Sequence, residues 1–205
     1  MVYNNFILRL LFSIIFISVY LILSFINFEY VFYLIFLIYI LILYEIYNYF
    51  KISRLIPIMY VCISFIFFLI IDFNNEIILN FNLFILTVIT FDIFSYIIGK
   101  SFGKIKLTKI SPNKTYEGLF GGTLLSIIFS LLFSYLFRIN VNIELIFFIT
   151  MIIITAFIGD MIESFFKRQN SIKNSSKMIP GHGGVFDRFD SFLFAIIFYS
   201  ISINI

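Results

Sequence analysis

Charge is scarce in this sequence. Asp, Glu, Lys and Arg make up 12% of its 205 residues against 62% hydrophobic residues, and the mean hydropathy is +1.10. Soluble domains carry about twice that share of charge, which excludes a soluble globular fold. The net charge of +3 has no soluble face on which to bind nucleic acid. Cys62 is the sole cysteine, which excludes an intrachain disulfide; with no Cys or His beside it, a thiolate metal site is excluded too. A packed membrane residue is its expected role. His182 is the sole histidine, so a zinc site has no ligand set. The GxxxxGK(S/T) loop that would cradle a nucleotide is missing, as are HExxH, GxSxG and CxxC. Internal repeats, Gly/Ser linkers and low-complexity tails are missing too. Any site must therefore be built from basic side chains, carboxylates with a metal, and loop backbone.

What the sequence has is apolar runs long enough to cross a bilayer, which takes about 20 residues per helix. Seven spans are expected, near residues 8–26, 30–50, 55–71, 82–99, 118–138, 143–166 and 190–205. The fold class is therefore all-α, a polytopic transmembrane bundle. Residues 1–205 read as one integral membrane domain, with residues 1–80 as scaffold helices and 85–195 as a catalytic core. Arg9 precedes an apolar run with no small-residue cleavage site after it, so a retained first helix is expected rather than a cleaved signal. The spans place every Lys and Arg but Arg138 on one side of the membrane, in the loops around residues 51–54, 100–117 and 167–189 and beside Arg9. Positive residues collect in the cytoplasm, so the N-terminus and both long polar loops are expected there.

The densest polar stretch runs from Ser164 to Asp190, SFFKRQNSIKNSSKMIPGHGGVFDRFD. Charges that interrupt so apolar a chain mark a functional site by default. Asp160, Ser164 and Lys167 are spaced to stack on one helix face, with Asp160 the deepest. Beyond the loop come Asp187 and Asp190. Carboxylates converging at a membrane boundary suit Mg²⁺, which takes one or two of them together with substrate phosphates, and Lys and Arg suit phosphate oxygens. Pro180, Gly181, His182, Gly183 and Gly184 form an expected tight turn, read either as an ordinary hairpin or as backbone able to approach an anion.

A second polar stretch follows Asp92, DIFSYIIGKSFGKIKLTKISPNKTYEGLFGG. Thr115 or Asn113 is placed to cap the next helix, and a helix start beside Lys114 can receive an anion. The other reading of these lysines is ordinary contact with anionic lipid headgroups. Among the intramembrane carboxylates, Asp92 and Asp160 each lead into a basic, glycine-containing loop, which favours a functional role. Glu45 reads equally as a buried structural group or a charge that snorkels to the interface.

Together these stretches resemble the phosphatidate cytidylyltransferases, also called CDP-diacylglycerol synthases. Ser164, Lys167, Arg168, Lys173, Pro180, His182, Gly183, Gly184, Asp187, Arg188 and Asp190 fall on that family's signature in order. Gly159-Asp160, Glu163-Ser164, Asp92 with Ser95-Tyr96, and Ser111-Pro112-Asn113-Lys114-Thr115 with Glu117-Gly118 are similar as well. The match covers roughly residues 85–195; the first three spans match mainly in being apolar, with Glu45 a candidate exception. The chain is shorter than typical members, by a couple of N-terminal helices. Asn174 departs from the family, which has Asp there.

The resemblance implies that CTP and phosphatidate give CDP-diacylglycerol and pyrophosphate, with Mg²⁺ held by Asp160 and Asp187 and a second cation such as K⁺. It implies catalytic roles for Asp160, Asp187, Lys167, Arg168 and Arg188, and substrate contacts from Ser111, Lys114, Thr115, Ser164, Lys173, His182, Gly183, Gly184 and Asp92. A homodimer and the bacterial inner (cell) membrane, with the site facing the cytoplasm, are expected. The rival readings are a related CTP-dependent membrane lipid kinase, which would release CDP, and a small transporter, which would require inverted repeats.

Overall fold

The computed structural model describes residues 15–108, 110–176, 178–179 and 183–204. Arg9, Lys109, Lys177, Pro180, Gly181 and His182 lie outside them. Helices follow one another as α1 (Ile15–Ile26 in its described part), α2 (Phe28–Tyr49), α3 (Leu55–Leu69), α4 (Asn75–Phe102), α5 (Tyr116–Leu136), α6 (Ile143–Gln169) and α7 (Phe186–Ile203). Among the described residues there is no strand; two isolated bridges, Lys106 with Thr115 and Ile179 with Gly183, close turns. The protein is a polytopic helical membrane protein. α2, α4, α5 and α6 are each long and apolar enough to cross a bilayer, whereas α3 and the described part of α1 are shorter apolar helices. α7 has 18 residues and opens on Asp187, Arg188 and Asp190.

Helix starts are set by local chemistry. The first backbone N–H groups of a helix lack intrahelical partners, and here Asn27, Asn74, Thr115 and Asn142 supply side-chain acceptors to Glu29, Ile77, Gly118 and Leu145. Thr115, not Asn113, is thus the cap of α5. The Asn74 cap also starts α4 seven residues before the expected apolar run, because a satisfied helix start tolerates polar residues that a hydropathy window rejects. α6 ends with Lys167 and Arg168 in its last turn, where positive charge meets the negative end of the helix dipole.

The chain packs as two compact units, Met1–Ile63 with Phe166–Phe189, and Ser64–Phe165 with Asp190–Ile205. In the first, α2 buries Val31, Ile35, Ile38, Tyr39, Ile42 and Ile46 along one stripe. Phe50 packs on Phe186 at 5.9 Å between ring centroids, and Tyr60 on Phe166 at 5.8 Å. Asn170 is buried, and its Oδ1 accepts from the N–H groups of Ile52 and Ser53 at 2.9 and 3.1 Å. One amide thereby joins the segment after α2 to the end of α6.

In the second unit, α4 and α5 pack through small residues. Gly118, Gly122, Ser126, Ser130 and Ser134 recur every fourth position of α5 and are all buried. A Cβ at Gly122 would overlap the backbone of Ser95. Such close approach replaces the hydrophobic drive that lipid cannot supply between helices. Thr87 and Ser130 share a hydrogen bond of 2.8 Å across the interface. Tyr199 of α7 packs on Phe81 and Phe84 and donates to the carbonyl of Ile77 at 3.0 Å.

Candidate active site

In the second unit, Gly159 lets α6 approach α7: a Cβ there would overlap the carbonyl oxygen of Asp190. The consequence is a meeting of carboxylates. Asp160, Glu163 and Asp190 each offer an oxygen within 4.8 Å of the other two. Glu163 is fully buried and Asp190 nearly so, while the Asp160 side chain keeps 31% of its surface exposed. Carboxylates this close repel one another when ionised, and a cation is the natural remedy. Lys114 supplies one, in an ion pair with Asp160, with its Nζ 4.9 Å from the centre of the Phe157 ring. The group consists of hard oxygen donors, one of them open to solvent, and so fits Mg²⁺, which takes a few carboxylates and keeps places for water and phosphate.

The loop between α4 and α5 delivers Lys114. Leu107 N–H donates to the Lys114 carbonyl at 2.8 Å, and Lys114 N–H to that of Ser111 at 3.1 Å. Ser111 N–H donates to the Thr108 hydroxyl at 3.2 Å. Thr115 Oγ1 accepts from Gly118 N–H at 3.1 Å. Asp92 Oδ1 accepts from the Ser191 hydroxyl at 2.9 Å, at the residue after Asp190. Ser164 is buried on α6.

The first unit holds the rest of the signature. Lys167 Nζ meets Asp187 Oδ1 at 2.8 Å. Asp187 Oδ2 accepts from Ser175 N–H at 3.0 Å and Gly184 N–H at 2.9 Å. A single carboxylate thereby pins both arms of the loop between α6 and α7. The expected turn is bracketed by Ile179 and Gly183, whose N–H and carbonyl groups bond reciprocally at 2.8 and 3.2 Å. Gly183 has φ +97°, which side-chain-bearing residues rarely adopt. Arg168 donates to the Ile172 carbonyl at 3.3 Å. Lys173, Asn174 and Arg188 are exposed.

Lys114 and Asp160, from separate stretches of sequence, are thus brought together, as are Lys167 and Asp187. Asp190, Glu163 and Glu45 were noted in the sequence, but not as members of one carboxylate group with Asp160 or, for Glu45, as the acceptor for a distant helix start; Asn170 did not stand out at all. For Glu163 the signal was there, since it lies three positions after Asp160 on the same helix face. For Asn170, an amide among polar neighbours, no sequence signal existed.

A family model described as the cytidylyltransferase family matches residues 8–205. The chain is 47% identical over 105 residues to the phosphatidate cytidylyltransferase of Staphylococcus epidermidis, covering 50% of this chain and 40% of that protein. The phosphatidate cytidylyltransferase of Staphylococcus aureus is 39% identical over 145 residues, 69% of this chain and 55% of that protein. The chain spans about half the length of the curated relatives it matches. With a match that runs nearly end to end, and with carboxylates and lysines gathered at the positions the signature marks, the chain belongs to the cytidylyltransferase family.

Proposed function

We propose that this chain transfers the cytidylyl group of CTP to phosphatidate, giving CDP-diacylglycerol and pyrophosphate. The observation that carries the proposal is the group of Asp160, Glu163 and Asp190 with Lys114 on Asp160, a paired arrangement of carboxylate and cation suited to a metal-bound triphosphate. The chain's staphylococcal relatives, both phosphatidate cytidylyltransferases, support it. A phosphate oxygen of phosphatidate attacks the α-phosphorus of CTP. A new P–O bond forms there, the bond to the bridging oxygen of the β-phosphate breaks, and pyrophosphate leaves with the electron pair.

Both reactants are anions, so positioning and charge stabilisation carry most of the barrier. In this reading Mg²⁺ would be held by Asp160 with Glu163 and Asp190 beside it, and Asp187, paired with Lys167, is the further carboxylate that the family resemblance assigns to the metal. The chemistry supplied by bound Mg²⁺ is polarisation of the α-phosphoryl group and neutralisation of the leaving pyrophosphate. Lys167, Arg168, Lys173 and Arg188 hold the triphosphate or the lipid headgroup. Ser111, Lys114, Thr115, Ser164, His182, Gly183, Gly184 and Asp92 complete the substrate contacts, and the acyl chains stay among lipid. A second cation such as K⁺, a homodimer, a site facing the cytoplasm at the bacterial cell membrane, and one functional domain with residues 1–80 as scaffold and 85–195 as core belong to the same proposal.

The test supplies membranes containing the chain with labelled CTP, phosphatidate and Mg²⁺. Label entering lipid with release of pyrophosphate, and lost in Asp187→Asn, is the expected result. Release of CDP instead would make the chain a lipid kinase, and no labelled lipid at all would overturn the proposal.

A further inference from the structure

We infer that Glu45, on α2, is a positioning residue that sets the backbone carrying Gly184 and Asp187. This rests on the proposed function for its kinetic consequence, though not for its geometry. Glu45 is fully buried. Its Oε2 accepts from Val185 N–H at 2.7 Å and, more weakly, from Phe186 N–H at 3.4 Å, across 140 and 141 residues of sequence. Gly184 lies against the same carboxylate: a Cβ there would overlap Glu45 Oε1 and Ser175 Oγ. Gly184 N–H, in turn, goes to Asp187 Oδ2. Three consecutive N–H groups at the start of α7 are therefore divided between two carboxylates, Gly184 to Asp187 and the next two to Glu45.

This division has a physical logic. N–H groups at a helix start have no partner within the helix, and a buried donor left unmet costs more than the bond itself is worth. Residues 184–186 supply no acceptor side chain of their own. α2, in the part of the sequence that carries none of the signature, supplies it. With Glu45 in place, the N–H groups of Val185 and Phe186 are held, and Asp187 follows directly on this peptide to meet Lys167 of α6. What Glu45 contributes is an acceptor at a fixed place rather than contact with substrate. Gln keeps that acceptor and puts an amide NH₂ in place of Oε1, in the same corner as the Ser175 hydroxyl. Asp falls one methylene short.

The experiment compares full-length wild type with Glu45→Gln, Glu45→Asp and Glu45→Ala. It reads the half-saturating concentrations of CTP and Mg²⁺, kcat per folded enzyme, and amide hydrogen exchange at Val185 and Phe186 in detergent. Glu45→Ala is expected to raise the half-saturating concentrations about tenfold or more and to speed exchange at both amides, while Glu45→Gln stays within about threefold of wild type. A structural role alone would reduce the amount of folded enzyme and leave both half-saturations unchanged. Unchanged half-saturations and exchange in Glu45→Ala would overturn the inference, as would Glu45→Gln behaving like Glu45→Ala. If Glu45→Ala does not accumulate, Glu45→Asp replaces it in the same comparison. If wild type makes no CDP-diacylglycerol, the proposed function fails, and the exchange readout still decides whether Glu45 holds the two amides.

Discussion

Asp187 is held from three directions. Lys167 Nζ meets its Oδ1 at 2.8 Å, while Ser175 and Gly184 donate backbone N–H groups to its Oδ2 at 3.0 and 2.9 Å. The carboxylate side chain is 9% exposed and the lysine 14%. Removing one member of so enclosed a pair leaves the other charged and poorly solvated. Lys167→Met is therefore expected to cost about 2–4 kcal/mol of stability. Lys167→Arg should recover most of that loss. Thermal unfolding in detergent measures both, and a Lys167→Met protein as stable as wild type would show that the pair is not structural.

Lys114 and Asp160 make a second prediction. If Lys114 offsets the charge of the three carboxylates until a divalent ion arrives, Asp160→Asn weakens Mg²⁺ binding, because it takes one charge out of the group. Activity at saturating CTP is expected to require about tenfold more Mg²⁺ or worse. A Mg²⁺ titration that superimposes on wild type would remove Asp160 from the metal centre.

Gly184 tests packing rather than chemistry. A Cβ at this position meets Glu45 Oε1 and Ser175 Oγ, so Gly184→Ala must displace one of them. We expect a loss of about 1–3 kcal/mol, read as a lower unfolding midpoint, together with reduced incorporation of labelled CTP into lipid.

The interface of α4 and α5 gives a contrast between two substitutions. Gly122→Val drives a side chain into the backbone of Ser95 and should destabilise by about 2 kcal/mol or more. Ser130→Ala removes only the 2.8 Å bond to Thr87, worth about 0.6 kcal/mol in a membrane interface. Unfolding in mixed detergent, with both variants side by side, ranks them.

Asn174 stands where the family signature has Asp, and it is exposed. Restoring the charge in Asn174→Asp is expected to raise activity and lower the Mg²⁺ requirement by about threefold to tenfold. Lower activity, or an unchanged Mg²⁺ requirement, would show that this position does not tune the metal.

Four of the seven expected spans, and the signature, were legible because their causes are local. A bilayer leaves no water to satisfy the backbone, so an apolar run of sufficient length becomes a helix, and α2, α4, α5 and α6 follow. The fixed gaps from Ser164 to Asp190 marked the polar loop, and Lys167 and Asp187 could be picked from it residue by residue, with Asp160 one helical turn ahead of it. Partnership was another matter. Nothing near Glu45 in the chain says that its acceptor belongs to Val185, 140 positions away. Nothing near Lys114 says that its ammonium group meets Asp160. A hydropathy pattern and a motif record what each residue prefers. Which carboxylate shares a cation, and which caps a distant helix, depends on how closely helices approach, and glycines such as Gly159 and Gly184 set that distance by the side chains they lack.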